Sequence, residues 1–191
     1  MKSSHLIPLL AALTLSSCKK MDVSSYNVET QNPENSSLSS YFTDEVPADA
    51  IQISEARKNP KVGAKITVAG EIMGGPDPIA HGNALVTLGD PTQLTPCSRN
   101  PDDECETPWD NCCDTNIKEN IATIQLVDAS GRPLKESMRG VNGLKELSFL
   151  TVTGTIAEGS NANNLLINAD KIHVAIQSPY KDAPPVTANL Q

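Results

Sequence analysis

Five short segments in which apolar side chains alternate with polar or small ones constrain the fold of this chain most strongly. Because successive side chains of a strand point to opposite faces of a sheet, such alternation is typical of strands with one buried face. Each segment is bounded by residues that favour turns. Aromatic residues make up 3% of the chain and apolar residues 38%, so the expected core is modest and aliphatic. The predicted strands lie at 64–74, 83–90, 121–134, 148–159 and 163–176.

Two helical segments accompany these strands. The stretch IQISEARKNP, residues 51–60, predicts a short helix that Ser54 can cap and that Asn59 and Pro60 end. The stretch MRGVNGLKELS, residues 138–148, predicts one or two helical turns between the third and fourth strands. The fold is therefore predicted to be mainly β, with little helix.

This order of elements resembles the OB-fold family, whose members are five-stranded Greek-key barrels. The segments that carry the resemblance are KITVAGEIMG, ATIQLVDASG, LTVTGTIAEG and LLINADKIHV, and VAGEI at 68–72 echoes VTGTI at 152–156. In that family the first strand bends at a glycine, here Gly70, so that it serves both sides of the barrel. The resemblance implies an OB-like barrel over 51–176.

The first twenty residues, MKSSHLIPLLAALTLSSCKK, have the anatomy of a secretory leader. Lys2 precedes an apolar stretch, Leu6 to Leu15, that is too short for a stable membrane span. Its end, LSSC, resembles the lipobox of bacterial lipoproteins, in which the leader is cut before the cysteine and that cysteine carries acyl chains such as palmitate. The resemblance implies a signal peptide at 1–17 and a lipid anchor on Cys18. The alternative is an ordinary secretory leader with an incidental cysteine.

The remaining segments are predicted from their composition. Residues 18–50 are rich in Ser, Asn, Asp, Glu and Pro, and we expect a flexible tether there. Residues 177–191 are rich in proline and are predicted to form a flexible tail. The lipid anchor would place the protein in the bacterial cell envelope, facing the periplasm or at the surface membrane. Membrane contact through that anchor is thus an expected interaction.

An insertion at 90–118, in which no helix or strand is predicted, holds Cys97, Cys105, Cys112 and Cys113. Disulfides persist outside the cytoplasm, so cross-links are the first hypothesis for these cysteines. Adjacent cysteines rarely bond each other, which would pair Cys97 and Cys105 each with one of the other two. Each bridge would contribute roughly 3 kcal/mol through the loop that it closes. No cofactor is expected under this hypothesis.

A soft metal ion bound by the four thiolates, either zinc, copper(I) or an iron–sulfur unit, is the alternative. The cysteine spacing lacks the paired knuckles of the common zinc frameworks. His81, Asp110 and Asp114 are further candidate ligands. A reactive thiol pair is a third hypothesis, which the surrounding acids oppose because they should raise the thiol pKa.

The formal charge of −8 and the scarcity of aromatic side chains argue against nucleic acid as a partner. No serine nucleophile elbow, phosphate loop or zincin motif occurs in the chain, so no enzyme activity is predicted.

OB-folds usually bind ligands on strands two and three, which the insertion joins here. We therefore expect a ligand face that includes Trp109, Asp110, Asp114 and His81. The sequence predicts a non-enzymatic binding or interaction module whose partner is an unidentified envelope component. The alternative is a metal-binding or electron-transfer lipoprotein that uses the four cysteines.

Overall fold

Five strands close into a barrel in a computed structural model that describes residues 36–101, 104–175 and 177–183. A sixth, two-residue strand, β1, precedes them and pairs in parallel with the first barrel strand. One short α-helix, α1, spans Ile53–Ala56, and 3₁₀ helices occupy Ser37–Tyr41, Cys97–Arg99, Ile117–Glu119 and Val141–Gly143. The strands are β1 Ile51–Gln52, β2 Lys65–Ile72, β3 Leu85–Gly89, β4 Ile121–Gln125, β5 Phe149–Ile156 and β6 Leu166–Ala175.

The strand order around the barrel is β2-β3-β4-β6-β5, and β5 returns to pair with β2. All neighbours are antiparallel except β4 and β6, which run parallel. This order confirms the predicted mainly β, OB-like Greek-key barrel. The five predicted segments each contain one of these strands, although the third strand ends at Gln125, before a turn at 128–131.

The two echoing pentapeptides are partners in the barrel. Val68 of β2 lies opposite Val152 of β5, at the centre of the antiparallel pairing. Each pentapeptide carries a glycine where another part of the chain comes very close. A Cβ on Gly70 would lie 2.8 Å from the carbonyl oxygen of Gly89, and a Cβ on Gly154 would lie 2.4 Å from that of Asn168. The glycine at 70 that the sequence singled out is therefore required by close packing.

The barrel interior is aliphatic, as the composition predicts. Val68, Ile72, Leu150 and Ile172 are fully buried in one cluster with residues from the other barrel strands. Because side chains alternate along a strand, Glu71 of β2 lies on the opposite face from Val68 and Ile72. The outer face of β2 is also covered at this position, since Glu71 is only 1% exposed.

Helix α1 is shorter than predicted, and the expected Ser54 cap is wrong. Gln52 occupies the N-cap position and makes no capping hydrogen bond with its side chain. The Ser54 amide instead donates 2.9 Å to Oδ2 of the buried Asp90, which follows β3. A carboxylate remote in sequence thus satisfies the helix N-terminus, so Ser54 is not needed for that role. Ile53, fully buried, packs this helix into the barrel core.

Residues 36–42 were predicted to belong to a flexible tether, but in the structure they are packed on the barrel. Leu38 is fully buried, Phe42 is 8% exposed, and both belong to the barrel core. Phe42 also forms a parallel bridge with Ile172 of β6. These isolated apolar residues in a polar segment gain burial by docking on the barrel.

Part of the predicted tail is also packed, because Ser178 is buried and the Tyr180 ring lies 6.0 Å from that of Phe149. The predicted leader, Cys18, the tether before residue 36 and the end of the tail lie outside the described residues. Within the described ranges, no helix has the length and apolar character needed to cross a membrane.

Candidate functional site

The insertion between β3 and β4 is folded onto the barrel. Leu94 is fully buried, and its Cδ1 lies over Gly89, where an added Cβ would meet it at 3.1 Å. The two limbs of the insertion are held side by side by backbone hydrogen bonds. The Cys97 amide donates to the Asp110 carbonyl at 2.7 Å, and the Ser98 amide donates to the Pro108 carbonyl at 2.8 Å. These contacts order a segment in which only short 3₁₀ turns occur among its described residues.

Three of the four cysteines of the insertion come together in the structure. The sulfur atoms of Cys97, Cys105 and Cys112 all lie within 4.8 Å of one another, and those of Cys97 and Cys112 are 3.6 Å apart. Cys97 is buried, Cys105 is half-buried and Cys112 is exposed. Among the described cysteines no two sulfur atoms are at disulfide bonding distance, which is about 2.05 Å. The predicted disulfides are therefore not formed in this structure.

Four of the predicted ligands lie outside this sulfur cluster, namely Cys113, His81, Asp110 and Asp114. Cys113 is exposed and lies outside the group, although it is adjacent to Cys112 in the chain. His81 is exposed, and its Nε2 lies 3.4 Å from Oδ2 of Asp77 in its own loop. The cluster is thus a three-sulfur site that solvent reaches through Cys112.

The pKa of Cys105 differs from the sequence expectation. A hydrogen bond from the Thr107 hydroxyl, 3.3 Å from the Cys105 sulfur, lowers the pKa of Cys105, and the Thr107 amide and the Cys97 thiol act in the same direction. The flanking acids were expected to raise thiol pKa values, but hydrogen bonds hold both carboxylates. Asp110 Oδ1 accepts from the Asn111 amide at 2.7 Å, and Asp114 Oδ2 accepts from the Thr95 amide at 2.8 Å. Burial raises the pKa of Asp114.

Asn111, which lies between Asp110 and Cys112 in the chain, is fully buried. Its Nδ2 contacts Asp114 Oδ2 at 3.3 Å and the Met73 sulfur at 3.7 Å. Its Oδ1 has no hydrogen-bond partner among the described atoms. Asn111 therefore anchors the insertion to the end of β2.

Trp109, predicted on the ligand face, has a structural contact. The half-buried indole donates from Nε1 to the Pro76 carbonyl at 2.9 Å, which joins the insertion to the β2–β3 loop. Trp109 therefore positions the insertion, and none of the four residues of the predicted ligand face belongs to the sulfur cluster.

Sequence reasoning missed the buried ion pair between Arg99 of the insertion and Glu71 of β2. Arg99 Nη2 lies 2.5 Å and 2.6 Å from the two Glu71 carboxylate oxygens, and both side chains are buried. Burial raises the pKa of Glu71, against the opposing effect of the Arg99 hydrogen bonds. One signal was available, since Arg99 is the one basic residue between 90 and 117 in an acidic segment.

Chemically, three converging thiols can coordinate one soft metal ion, or two of them can oxidise to a disulfide. Comparisons of the chain with protein-family models, with curated proteins and with solved structures found no match.

Proposed function

We propose that this protein is a non-enzymatic lipoprotein of the cell envelope that binds a soft metal ion through Cys97, Cys105 and Cys112. The observation that carries the proposal is the meeting of three sulfur atoms within 4.8 Å. Two thiolates on one tetrahedral zinc ion are about 3.8 Å apart, given a Zn–S bond of about 2.3 Å. The cluster therefore needs only small side-chain movements to hold an ion.

The number of ligands narrows the choice of metal. Three sulfur ligands suit copper(I), or zinc with its fourth position open to water or to another ligand. An iron–sulfur unit generally takes four cysteines, so it fits this group less well. The lowered pKa of Cys105 favours the thiolate that a metal requires. Cys112 is exposed, which gives the ion a route to the site.

A disulfide-stapled recognition module is the second candidate, and the 3.6 Å separation of Cys97 and Cys112 favours it. A bond between these sulfur atoms requires them to approach by about 1.5 Å. Under this hypothesis the insertion is a rigid surface for an envelope partner. An oxidising compartment supports it, because disulfides persist there.

The lipid anchor is supported by the leader and the LSSC sequence that ends at Cys18. Incorporation of labelled palmitate into the protein during expression in bacteria, and its loss in Cys18→Ser, tests the anchor. Unchanged labelling in Cys18→Ser contradicts it.

Metal binding is tested on the full chain, purified under reducing, oxygen-free conditions, by competition with a chromophoric chelator for zinc or copper(I). We expect one ion per chain. Cys97→Ser, Cys105→Ser and Cys112→Ser should each lose high-affinity binding, whereas Cys113→Ser, the matched control, should retain it.

Thiol counting separates the two candidates. In protein isolated from its envelope without reductant, thiols that appear only after chelation support the metal site. A mass deficit of two hydrogens with no bound metal supports the staple instead. Equal losses in Cys112→Ser and Cys113→Ser contradict the three-sulfur geometry.

A further inference from the structure

A cavity of about 300 Å³ opens beside the Arg99–Glu71 ion pair. Its walls come from four separate parts of the chain, one of which is β2, through Glu71. The insertion contributes Ser98 and Arg99, the loop before β5 contributes Lys145 and Leu147, and the segment after β6 contributes Ser178. The volume matches the lower end of the range for small-molecule sites in proteins.

The Arg99–Glu71 ion pair in the wall of this cavity is almost completely shielded from solvent. The Glu71 side chain is 1% exposed and the Arg99 side chain is 7% exposed. Such a pair is a poor source of stability, because the desolvation of both charges offsets most of their attraction. The Ser178 hydroxyl also hydrogen-bonds Glu71. The carboxylate is therefore held from two sides, and it fixes the position of the guanidinium.

The Arg99 guanidinium has N–H donors that the ion pair with Glu71 does not use. An arginine side chain carries five N–H donors in a planar fork. Among the described residues, the Arg99 side chain hydrogen-bonds only Glu71, and Nη2 donates to both of its carboxylate oxygens. Nε and Nη1 make no hydrogen bond to a described residue, and Arg99 is part of the cavity lining. Carboxylate and phosphate groups match this fork and accept two hydrogen bonds from it.

The charge around the cavity also favours an anion, although the whole chain carries −8. Glu71 is balanced by Arg99, and two other charged residues of the lining, Glu146 and Lys181, have their own partners in Arg139 and Asp182. Lys145 is exposed and makes no ion pair with any described residue. The net charge left at the cavity is therefore positive.

The loop that carries Lys145 has an unusual backbone. Leu147 has a φ of +62°, a left-handed conformation that is rare for a bulky residue. The Leu147 amide donates to the Ile72 carbonyl at 3.0 Å, and the Ile72 amide donates to the Ser148 carbonyl at 2.9 Å. These bonds to the end of β2 hold the loop against the barrel. Backbone strain of this kind is found preferentially at ligand sites.

We propose that this cavity binds a small molecule through an oxyanion group, either carboxylate or phosphate, with Arg99 and Lys145 as the principal contacts. The Ser98 hydroxyl is a further hydrogen-bond donor in the wall. The proposal is independent of the sulfur cluster, since none of its three cysteines lines the cavity.

Isothermal titration calorimetry on the full reduced chain tests the proposal, with inorganic phosphate and succinate as separate probes and chloride at equal ionic strength as the blank. Saturable binding of phosphate alone assigns a phosphate site, and binding of succinate alone assigns a carboxylate site. Lys145→Ala should weaken binding about tenfold, as expected for loss of a charged hydrogen bond. Lys118→Ala removes an exposed insertion lysine outside the cavity and should leave affinity unchanged.

Arg99→Lys keeps the charge but removes the fork, and it should also weaken binding about tenfold. Its circular dichroism spectrum and thermal midpoint report whether the fold survives. Should Arg99→Lys fail to fold, Lys145→Ala still decides the question. Absence of saturable binding for both probes at millimolar concentrations overturns the proposal, as does equal weakening by Lys145→Ala and Lys118→Ala. Cys112→Ser should bind the probe normally, so failure of the metal proposal remains distinguishable.

Discussion

The barrel and the insertion are stabilised in different ways. The barrel buries aliphatic side chains inside a closed ring of strands, with Val68 and Leu150 among those with no exposure. The insertion has few apolar anchors, chiefly Leu94, and is attached through a buried amide, a buried ion pair and backbone hydrogen bonds between its limbs. Burial of apolar area is non-directional and tolerates small changes, whereas buried polar groups depend on each partner. The insertion should therefore respond to ligands and single polar substitutions that leave the barrel intact.

The largest effect is expected at the ion pair that joins the two regions. Glu71→Gln leaves the Arg99 charge buried without its counter-ion, which should cost about 3–5 kcal/mol of unfolding free energy. Urea denaturation monitored by circular dichroism measures this loss. The double variant Glu71→Gln with Arg99→Met removes both charges and should recover most of the stability. A double variant as unstable as Glu71→Gln alone would show that the barrel needs this pair for another reason.

A slightly smaller effect is expected inside the barrel. Gly154→Ala places a Cβ 2.4 Å from the Asn168 carbonyl oxygen, so β5 and β6 must move apart, at a cost of about 3 kcal/mol. Gly82→Ala is the matched control, since a Cβ there meets nothing within 4 Å. Denaturant midpoints compare the two. Similar midpoints for both variants would contradict the close packing of β5 on β6.

A local effect is expected where Trp109 joins the insertion to the β2–β3 loop. Trp109→Phe removes the indole hydrogen bond to the Pro76 carbonyl, which should cost about 1 kcal/mol. Hydrogen exchange should quicken at the Cys97 and Ser98 amides, whose bonds hold the insertion limbs together. Amides of β5 serve as the internal control and should exchange as before. Faster exchange throughout the barrel would show that the two regions unfold together.

The smallest expected effect is a change in the pKa of Cys105. Thr107→Val removes the hydroxyl that stabilises the Cys105 thiolate, so the pKa of Cys105 should rise toward the ordinary thiol value. In metal-free, reduced protein, the pH profile of Cys105 alkylation by iodoacetamide, followed by mass spectrometry, should move to higher pH. Thr107→Ser keeps the hydroxyl and should leave the profile in place. A shift to lower pH in Thr107→Val would reverse the proposed role of the hydroxyl.

The barrel could be predicted because its signal is local and repeated. Alternation along each strand and glycines such as Gly70 are visible within a few residues of sequence. The helix cap was missed because Asp90 supplies it from another element. Leu38 and Phe42 were assigned to a tether because their packing partners, such as Ile172, lie far away in sequence.

The candidate site was predictable only in part, for a geometric reason. Spacing identified four cysteines, but adjacent residues such as Cys112 and Cys113 project in different directions, and only the folded limbs determine which one faces the cluster. The Arg99–Glu71 pair joins residues 28 positions apart in different elements. No periodic pattern links them, although an isolated arginine in an acidic segment was a usable signal.

The 3₁₀ turn at Cys97–Arg99 supplies one residue to the sulfur cluster and the next two to the cavity wall. Any coupling between the two proposed sites would pass through this shared three-residue segment. By reciprocity, whatever factor an oxyanion imposes on metal affinity, the metal must impose equally on oxyanion affinity. Measured together, the two affinities would show whether this turn of backbone connects the sulfur cluster with the cavity.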